Sequence, residues 1–272
     1  MPELPEVETV VRGLRDEIVG HGFESITAEY EPCIYPGVNG FARAEGAKVL
    51  SVERRGKFIN IFMERDLVLT IHLRMSGRLI VQKIDDEPLK FERTRLDFDG
   101  NKSLRFCDMR KFGRVWLCGL KDYEEITGIH RLGVEPLSEE FNLEQFAGFF
   151  EGRQGAVKKF LLDQSLMAGV GNIYADEACF YAGVRPDRDV STLEEAELQK
   201  LFEGVQVALH QGIRNKGTSI SDYADAYGQS GSNQELLFVY GRGGRNCLNC
   251  ETVLEKFRCA GRGTVVCSGC QV

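Results

Sequence analysis

Four of the nine cysteines in this 272-residue sequence fall as Cys247-x2-Cys250-x16-Cys267-x2-Cys270. Two knuckles at that spacing let four thiolates converge on one tetrahedral Zn2+. Four thiolates close the coordination shell, so this zinc, one per chain, is structural: it folds a small ribbon and binds no substrate. Within the ribbon Arg242, Arg245, Lys256, Arg258 and Arg262 outnumber Glu251 and Glu255. A nucleic acid fits such a basic surface, and so does plain solvent.

The opposite end reads MPELPE. Removal of Met1 before a small residue leaves Pro2 with a free secondary amine, at the first helical position where proline is tolerated. The reference pKa of an α-amino group, about 7.7–8.0, falls further at a helix N-terminus, so a neutral fraction exists near pH 7. That is a nucleophile. Taken alone, the same residues have a plainer reading: Pro2 and Pro5 start a helix, and Glu3 and Glu6 favour its dipole.

Composition bounds what such groups could serve. Hydrophobic residues make up 43% of the chain, and no apolar run approaches the roughly 20 residues that cross a bilayer. The acidic N-terminus is unlike a signal peptide, so a cytoplasmic, monomeric protein is expected. In that compartment thiols stay reduced, and Cys33, Cys107, Cys118, Cys179 and Cys259 read as core residues. The net charge of -7 argues against a polyanionic partner, but it is unevenly spread. From Lys121 to Glu151 eight acids face two bases, and from Asp187 to Glu203 six acids face two. The remainder carries +3, which leaves room for a locally basic face, and local charge is what phosphates feel.

The elements that must position these residues follow from periodicity. Apolar residues at Leu4, Val7, Val10, Val11, Leu14 and Ile18 predict one amphipathic helix ending at Gly20. From Phe23 to Leu120 short β-rich runs separated by Gly, Asp and Asn predict a β-sandwich or barrel of seven or more strands. Helical periods return over 142–150, 156–167, 173–182 and 192–216, with Gly169 and Gly171 breaking the second from the third. A Gly/Ser-rich stretch from Lys216 to Gln234 leads into the cysteine module. The expected fold is α+β and multidomain: an N-terminal helix plus β-sandwich over 1–133, a helical domain over 134–237, and a β-hairpin zinc finger over 238–272.

PELPEVE, RRGKF, HLRMSGR, DMRKFG, GVGNIYADE and GRGTVVCSGCQ resemble, in order and across essentially the whole chain, the formamidopyrimidine-DNA glycosylase family. The resemblance implies a base-excision repair enzyme that removes oxidised purines (8-oxoguanine, formamidopyrimidines) from double-stranded DNA, cleaves the strand as an abasic-site lyase by β,δ-elimination, and carries a helix-two-turns-helix element. By it, Pro2 is the nucleophile that forms an imine, Glu3 the acid/base, Lys57 a phosphate contact and proton donor, and Arg262 a group for the second elimination. Met75, Arg110 and Phe112 would fill the void left by the flipped nucleotide, although by composition alone Met75 and Phe112 read as core. His72 and Asn172 join Lys57 and Arg262 around the phosphates, with Arg153 and Lys158 as further candidates.

The sequence departs from the family pattern in places. Arg74 stands where glycine is frequent, Met109 replaces a common proline, Phe91 occupies the place of a DNA-contacting histidine, and Ser221, in a lesion-capping stretch, replaces a position often basic. Two alternatives stay open at this point: the sister class acting on oxidised pyrimidines, which usually starts PEGPE where this chain has Leu4, and a catalytically silent DNA-binding scaffold.

Overall fold

A computed structural model describes residues 1–220 and 222–272; Ser221 lies outside the described residues. The chain divides into two compact units, 1–130 with 215–234, and 131–214 with 235–272. The Gly/Ser-rich segment therefore packs with the β-rich unit, whereas the sequence reading placed it in the helical domain, and the cysteine ribbon forms one unit with the helices.

The first unit opens with α1 (Leu4–Ile18), whose apolar stripe Val7, Val10, Val11, Leu14 and Ile18 is buried. Nine strands follow: β1 (Phe23–Ala28), β2 (Ile34–Tyr35), β3 (Val49–Arg55), β4 (Phe58–Met63), β5 (Leu67–His72), β6 (Gly77–Gln82), β7 (Glu92–Phe98), β8 (Lys102–Asp108) and β9 (Arg114–Gly119). They form a four-stranded sheet ordered β1-β7-β8-β6 and a five-stranded sheet ordered β2-β9-β5-β4-β3. Ile59, Ile61, Leu69 and Ile71 of one sheet share a single core with Leu79, Leu96, Leu104 and Phe106 of the other. This is the sandwich that the alternating runs predict, with α1 packed along β3, β4 and β6. A short helix, α2 (Tyr123–Thr127), lies in the acidic stretch and ends at Gly128, whose φ of +81° is the left-handed stop that glycine makes cheap.

The second unit holds α3 (Leu143–Gly148), α4 (Val157–Leu161), α5 (Asn172–Ala182), α6 (Glu195–Arg214) and the hairpin β10 (Glu255–Cys259) with β11 (Arg262–Val266). The expected helix over 156–167 is one and a half turns long. Gln164 ends it: its amide donates to the Leu162 and Val170 carbonyls at 3.0 and 2.8 Å and accepts from Gly169 N at 3.0 Å. One side chain thus satisfies the turns between α4 and α5 that a continuing helix would have satisfied itself. Crossing α5, the long helix α6 brings Gly204 and Gly212 to the contact. A Cβ at 204 would lie 2.5 Å from the Ala178 carbonyl oxygen, and one at 212 would lie 2.5 Å from Tyr174 Oη.

Candidate active site and nucleic-acid interface

At the start of α1 the backbone of Glu3 is extended and Pro2 and Glu3 are buried. Glu6 fixes this end in two directions. Its Oε2 accepts from Glu3 N at 2.9 Å, and its Oε1 accepts from Thr218 N at 2.7 Å. A carboxylate in the first turn therefore satisfies a helix-end donor and ties segment 215–220 to α1. Asn233 Nδ2 donates to Thr218 Oγ1 at 2.8 Å, and Tyr223 Oη donates to the Lys216 carbonyl at 3.0 Å. The sequence reading gave Glu6 a dipole role only. Its spacing of three from Glu3 is the signal of a capping box, which names the reach-back but not the partner 212 residues away.

Lys57, immediately before β4, and His72, the last residue of β5, are both buried. His72 Nδ1 accepts from Arg74 N at 3.0 Å, so the ring proton sits on Nε2. Burial first, then the neighbouring charges of Arg74 and Lys57, push the His72 pKa down to about 3. His72 is thus a neutral donor across the physiological range. Arg74 itself takes φ +53°, a left-handed conformation that explains why glycine suits the position.

Met75, Phe91, Met109 and Phe112 are exposed, with Phe112 half accessible to solvent. Large apolar side chains do not crowd a surface by chance. Beneath them Asp108, 1% exposed, takes Ser76 Oγ and Arg110 N on Oδ1 at 2.6 and 3.1 Å, and Gly113 N on Oδ2 at 2.7 Å. The Arg110 guanidinium lies 4.9 Å from the Phe112 ring centre, a stacked cation–π pair. Phe91, like Arg74, takes a positive φ, +64°. The sequence reading passed over Asp108, since a lone aspartate at a strand end reads as an ordinary turn residue.

In the helical unit Arg153 and Arg262 are exposed. The expected phosphate contact at Lys158 is corrected by the structure. Its side chain has no accessible surface, pairs with Asp176 Oδ1 at 2.5 Å and donates to Thr264 Oγ1 at 2.8 Å and the Gly263 carbonyl at 3.2 Å. Burial pushes the Asp176 carboxyl up to about 7 against the opposing pull of Lys158. The register of α4 turns Lys158 inward and leaves Lys159 exposed; two adjacent lysines in sequence gave no means of choosing. Asn172 opens α5, and its Nδ2 donates to the Gly263 carbonyl at 3.0 Å, beside Arg262. Glu177, buried in α5, accepts from Phe238, Val239 and Tyr240 N at 2.8–2.9 Å and so fastens the entry to the ribbon.

The ligand atoms of Cys247, Cys250, Cys267 and Cys270 all lie within 4.8 Å of one another. Cys247–Cys270 and Cys250–Cys267 sulfur separations are 3.9 and 3.4 Å. A tetrahedron with metal–sulfur bonds of about 2.3 Å has edges of about 3.8 Å, so the four thiols fit one metal ion. Among the described residues no helix is long and apolar enough to cross a membrane.

These parts define a helix-two-turns-helix protein with a helix-backed β-sandwich and a four-cysteine hairpin. The family model "Formamidopyrimidine-DNA glycosylase N-terminal domain" matches residues 1–115, and "Formamidopyrimidine-DNA glycosylase H2TH domain" matches residues 132–224. The formamidopyrimidine-DNA glycosylases of Desulfitobacterium hafniense and Herpetosiphon aurantiacus are each 40% identical to the chain over 274 and 275 residues, with full coverage of both partners. The structure of Lactococcus lactis Fpg bound to DNA containing an abasic site is similar at a TM-score of 0.92 and 33% identity, covering 99% of each chain. MutM (Fpg) of Thermus thermophilus is similar at 0.89 and 38%, covering 99% of this chain and 98% of that one. The chain belongs to the formamidopyrimidine-DNA glycosylase family.

Proposed function

We propose that this protein excises oxidised purines from duplex DNA with the amine of Pro2 and then cleaves the strand by β- and δ-elimination. Met1 is present and exposed, so the Pro2 nitrogen is an amide until Met1 is removed; the mature N-terminus is Pro2. The free amine attacks C1′ of the extruded nucleotide, the glycosidic bond breaks, and the base leaves with its electron pair and takes up the proton that the attacking nitrogen gives up. Glu3 delivers a proton to the sugar oxygen as the ring opens. A secondary amine leaves a cationic iminium that needs no further proton. Loss of a C2′ proton expels the 3′ phosphate with help from Lys57, and a second elimination, assisted by Arg262, expels the 5′ phosphate. Extruding the nucleotide costs a few kcal/mol, which Met75, Arg110 and Phe112 offset by filling the void. Zn2+ held by the four cysteines supplies folding energy to the ribbon that presents Arg262.

The observation that carries this reading is the position of Pro2 and Glu3 at the start of α1, an end held by Glu6 on both sides. Borohydride reduction during turnover on a duplex with 8-oxoguanine opposite cytosine tests it. A covalent protein–DNA adduct is expected whose DNA maps to the N-terminal peptide, and an active preparation with no adduct, or with Met1 fully retained by intact mass, overturns it.

A further inference from the structure

The void-filling side chains stand on two separate connections, residues 73–76 and 109–113, and nothing in the chemistry of methionine, arginine or phenylalanine holds the two in step. Asp108 does. Its Oδ1 accepts from Ser76 Oγ on the first connection and Arg110 N on the second, at 2.6 and 3.1 Å. Ser76 Oγ in turn accepts from Arg110 N at 3.2 Å, closing a three-membered ring of hydrogen bonds between Met75's neighbour and Arg110. The second oxygen holds Gly113 N at 2.7 Å, so both ends of 110–113 are gripped by one carboxylate. The backbone of Asp108 reaches the third exposed position: Asp108 N donates to the Phe91 carbonyl at 2.9 Å, and Arg93 Nε donates to the Asp108 carbonyl at 2.8 Å. There is no slack in the arrangement. A Cβ at Gly113 would lie 2.3 Å from Phe106 Cζ and 3.2 Å from Asp108 Oδ2, and one at Gly77, after the first connection, would lie 2.3 Å from the Leu73 carbonyl oxygen.

We infer that Asp108 is a positioning residue that locks Met75, Arg110 and Phe112 into a single preformed wedge, so that the three enter the duplex together. The inference rests on the wedge role proposed above for those side chains. A carboxylate is required because it accepts on both oxygens. In Asp108→Asn one oxygen becomes an NH2 group, and in either orientation a donor then faces a backbone donor, Gly113 N or Arg110 N. Loop order is lost while shape and volume are kept.

Single-turnover excision of 8-oxoguanine tests this on two duplexes, one with cytosine opposite the lesion and one with a tetrahydrofuran abasic residue there, where no partner base is orphaned and the unpaired lesion costs less to extrude. For Asp108→Asn a loss of about tenfold or more is expected opposite cytosine, where filling the stack matters, shrinking to less than about threefold opposite the abasic residue. Ser76→Ala, which removes one hydroxyl and leaves Gly113 and Arg110 held, should show the same pattern at smaller size and carries the test if Asp108→Asn does not fold. An unchanged rate opposite cytosine, or equal losses on both duplexes alongside a lowered melting temperature, overturns the inference. Phe112→Ala is the control: if it loses nothing opposite cytosine, the wedge reading itself has failed, whereas a loss in Phe112→Ala with none in Asp108→Asn or Ser76→Ala defeats only the role of Asp108.

Discussion

The amine end of the sandwich and the cysteine ribbon present their exposed groups on different kinds of foundation. In the sandwich, buried carboxylates tie together separate segments, Glu6 through Glu3 N and Thr218 N and Asp108 through Ser76 Oγ, Arg110 N and Gly113 N, over a core shared by two sheets. The ribbon borrows one such carboxylate, Glu177, and packs in an apolar cluster of six buried residues, of which Phe180 belongs to α5 and two are the thiols Cys247 and Cys267. A hairpin with so few buried apolar residues gains folding energy from a metal that ties its thiols together. The sandwich thus holds its exposed groups by its own packing, whereas the ribbon leans on α5 and on the convergence of four thiols.

The largest effect should mark the first region as the seat of chemistry. Pro2→Gly, or a preparation with Met1 retained, should lose base excision by orders of magnitude while binding of an abasic-site duplex stays near wild type; gel-shift and single-turnover assays on the same samples check the separation. The comparison inverts for the ribbon. Cys250→Ser should drop bound zinc well below one equivalent and cost DNA binding through loss of the folded hairpin, with the sandwich's own thermal transition retained. Metal analysis showing no zinc in a DNA-competent wild type would break the contrast between the two regions.

Within the wedge, Arg110 and Phe112 should differ in kind. Arg110→Ala should weaken discrimination by the opposite base, by about 1–3 kcal/mol for a directed base contact, whereas Phe112→Ala should slow excision for every opposite base. Rates measured opposite C, T, G and A for both variants separate the roles, and an unaltered ranking in Arg110→Ala removes the assignment. The smallest effect concerns pH. Burial holds the His72 pKa at about 3 in the folded protein, against the ordinary histidine value of 6.5, so below about pH 6.5 the unfolded chain takes up a proton that the folded chain refuses. Stability attributable to this residue is intact above that pH and falls as pH drops toward 3. Thermal melts at pH 7 and pH 5 should show a smaller decrease in His72→Gln than in wild type.

Much of this was legible because the local pattern and the final contact coincide. The stripe from Val7 to Ile18 faces the core it predicts, the alternating runs become two sheets, and four cysteines at knuckle spacing come together. What stayed hidden depends on partners far off in sequence. Glu6 meets Thr218, Asp108 meets Ser76, and Lys158 meets Asp176 and Thr264, none at a spacing that carries a local signal. The error at Lys158 has the same origin: a lysine reads as a surface cation until a buried carboxylate on another helix is known to wait for it. The short α4 was overextended because the pattern of 156–167 is helical and the Gln164 hydrogen bonds that end it are not a sequence motif.

The glycine crossing of α5 and α6 also sets the mechanics of the helical unit. At Gly204 α6 meets the main chain of α5 with no side chain between, and at Gly212 it admits the Tyr174 ring of α5, so near Gly204 the pair is stiff where side-chain packing would have yielded. The ribbon is fastened to one member of that pair by Glu177 and by the Lys158–Asp176 cluster. A single added methyl at 204 would therefore not be absorbed locally. It would be transmitted along α5 as a displacement of the hairpin, with the helices acting as a rigid lever arm rather than a cushion.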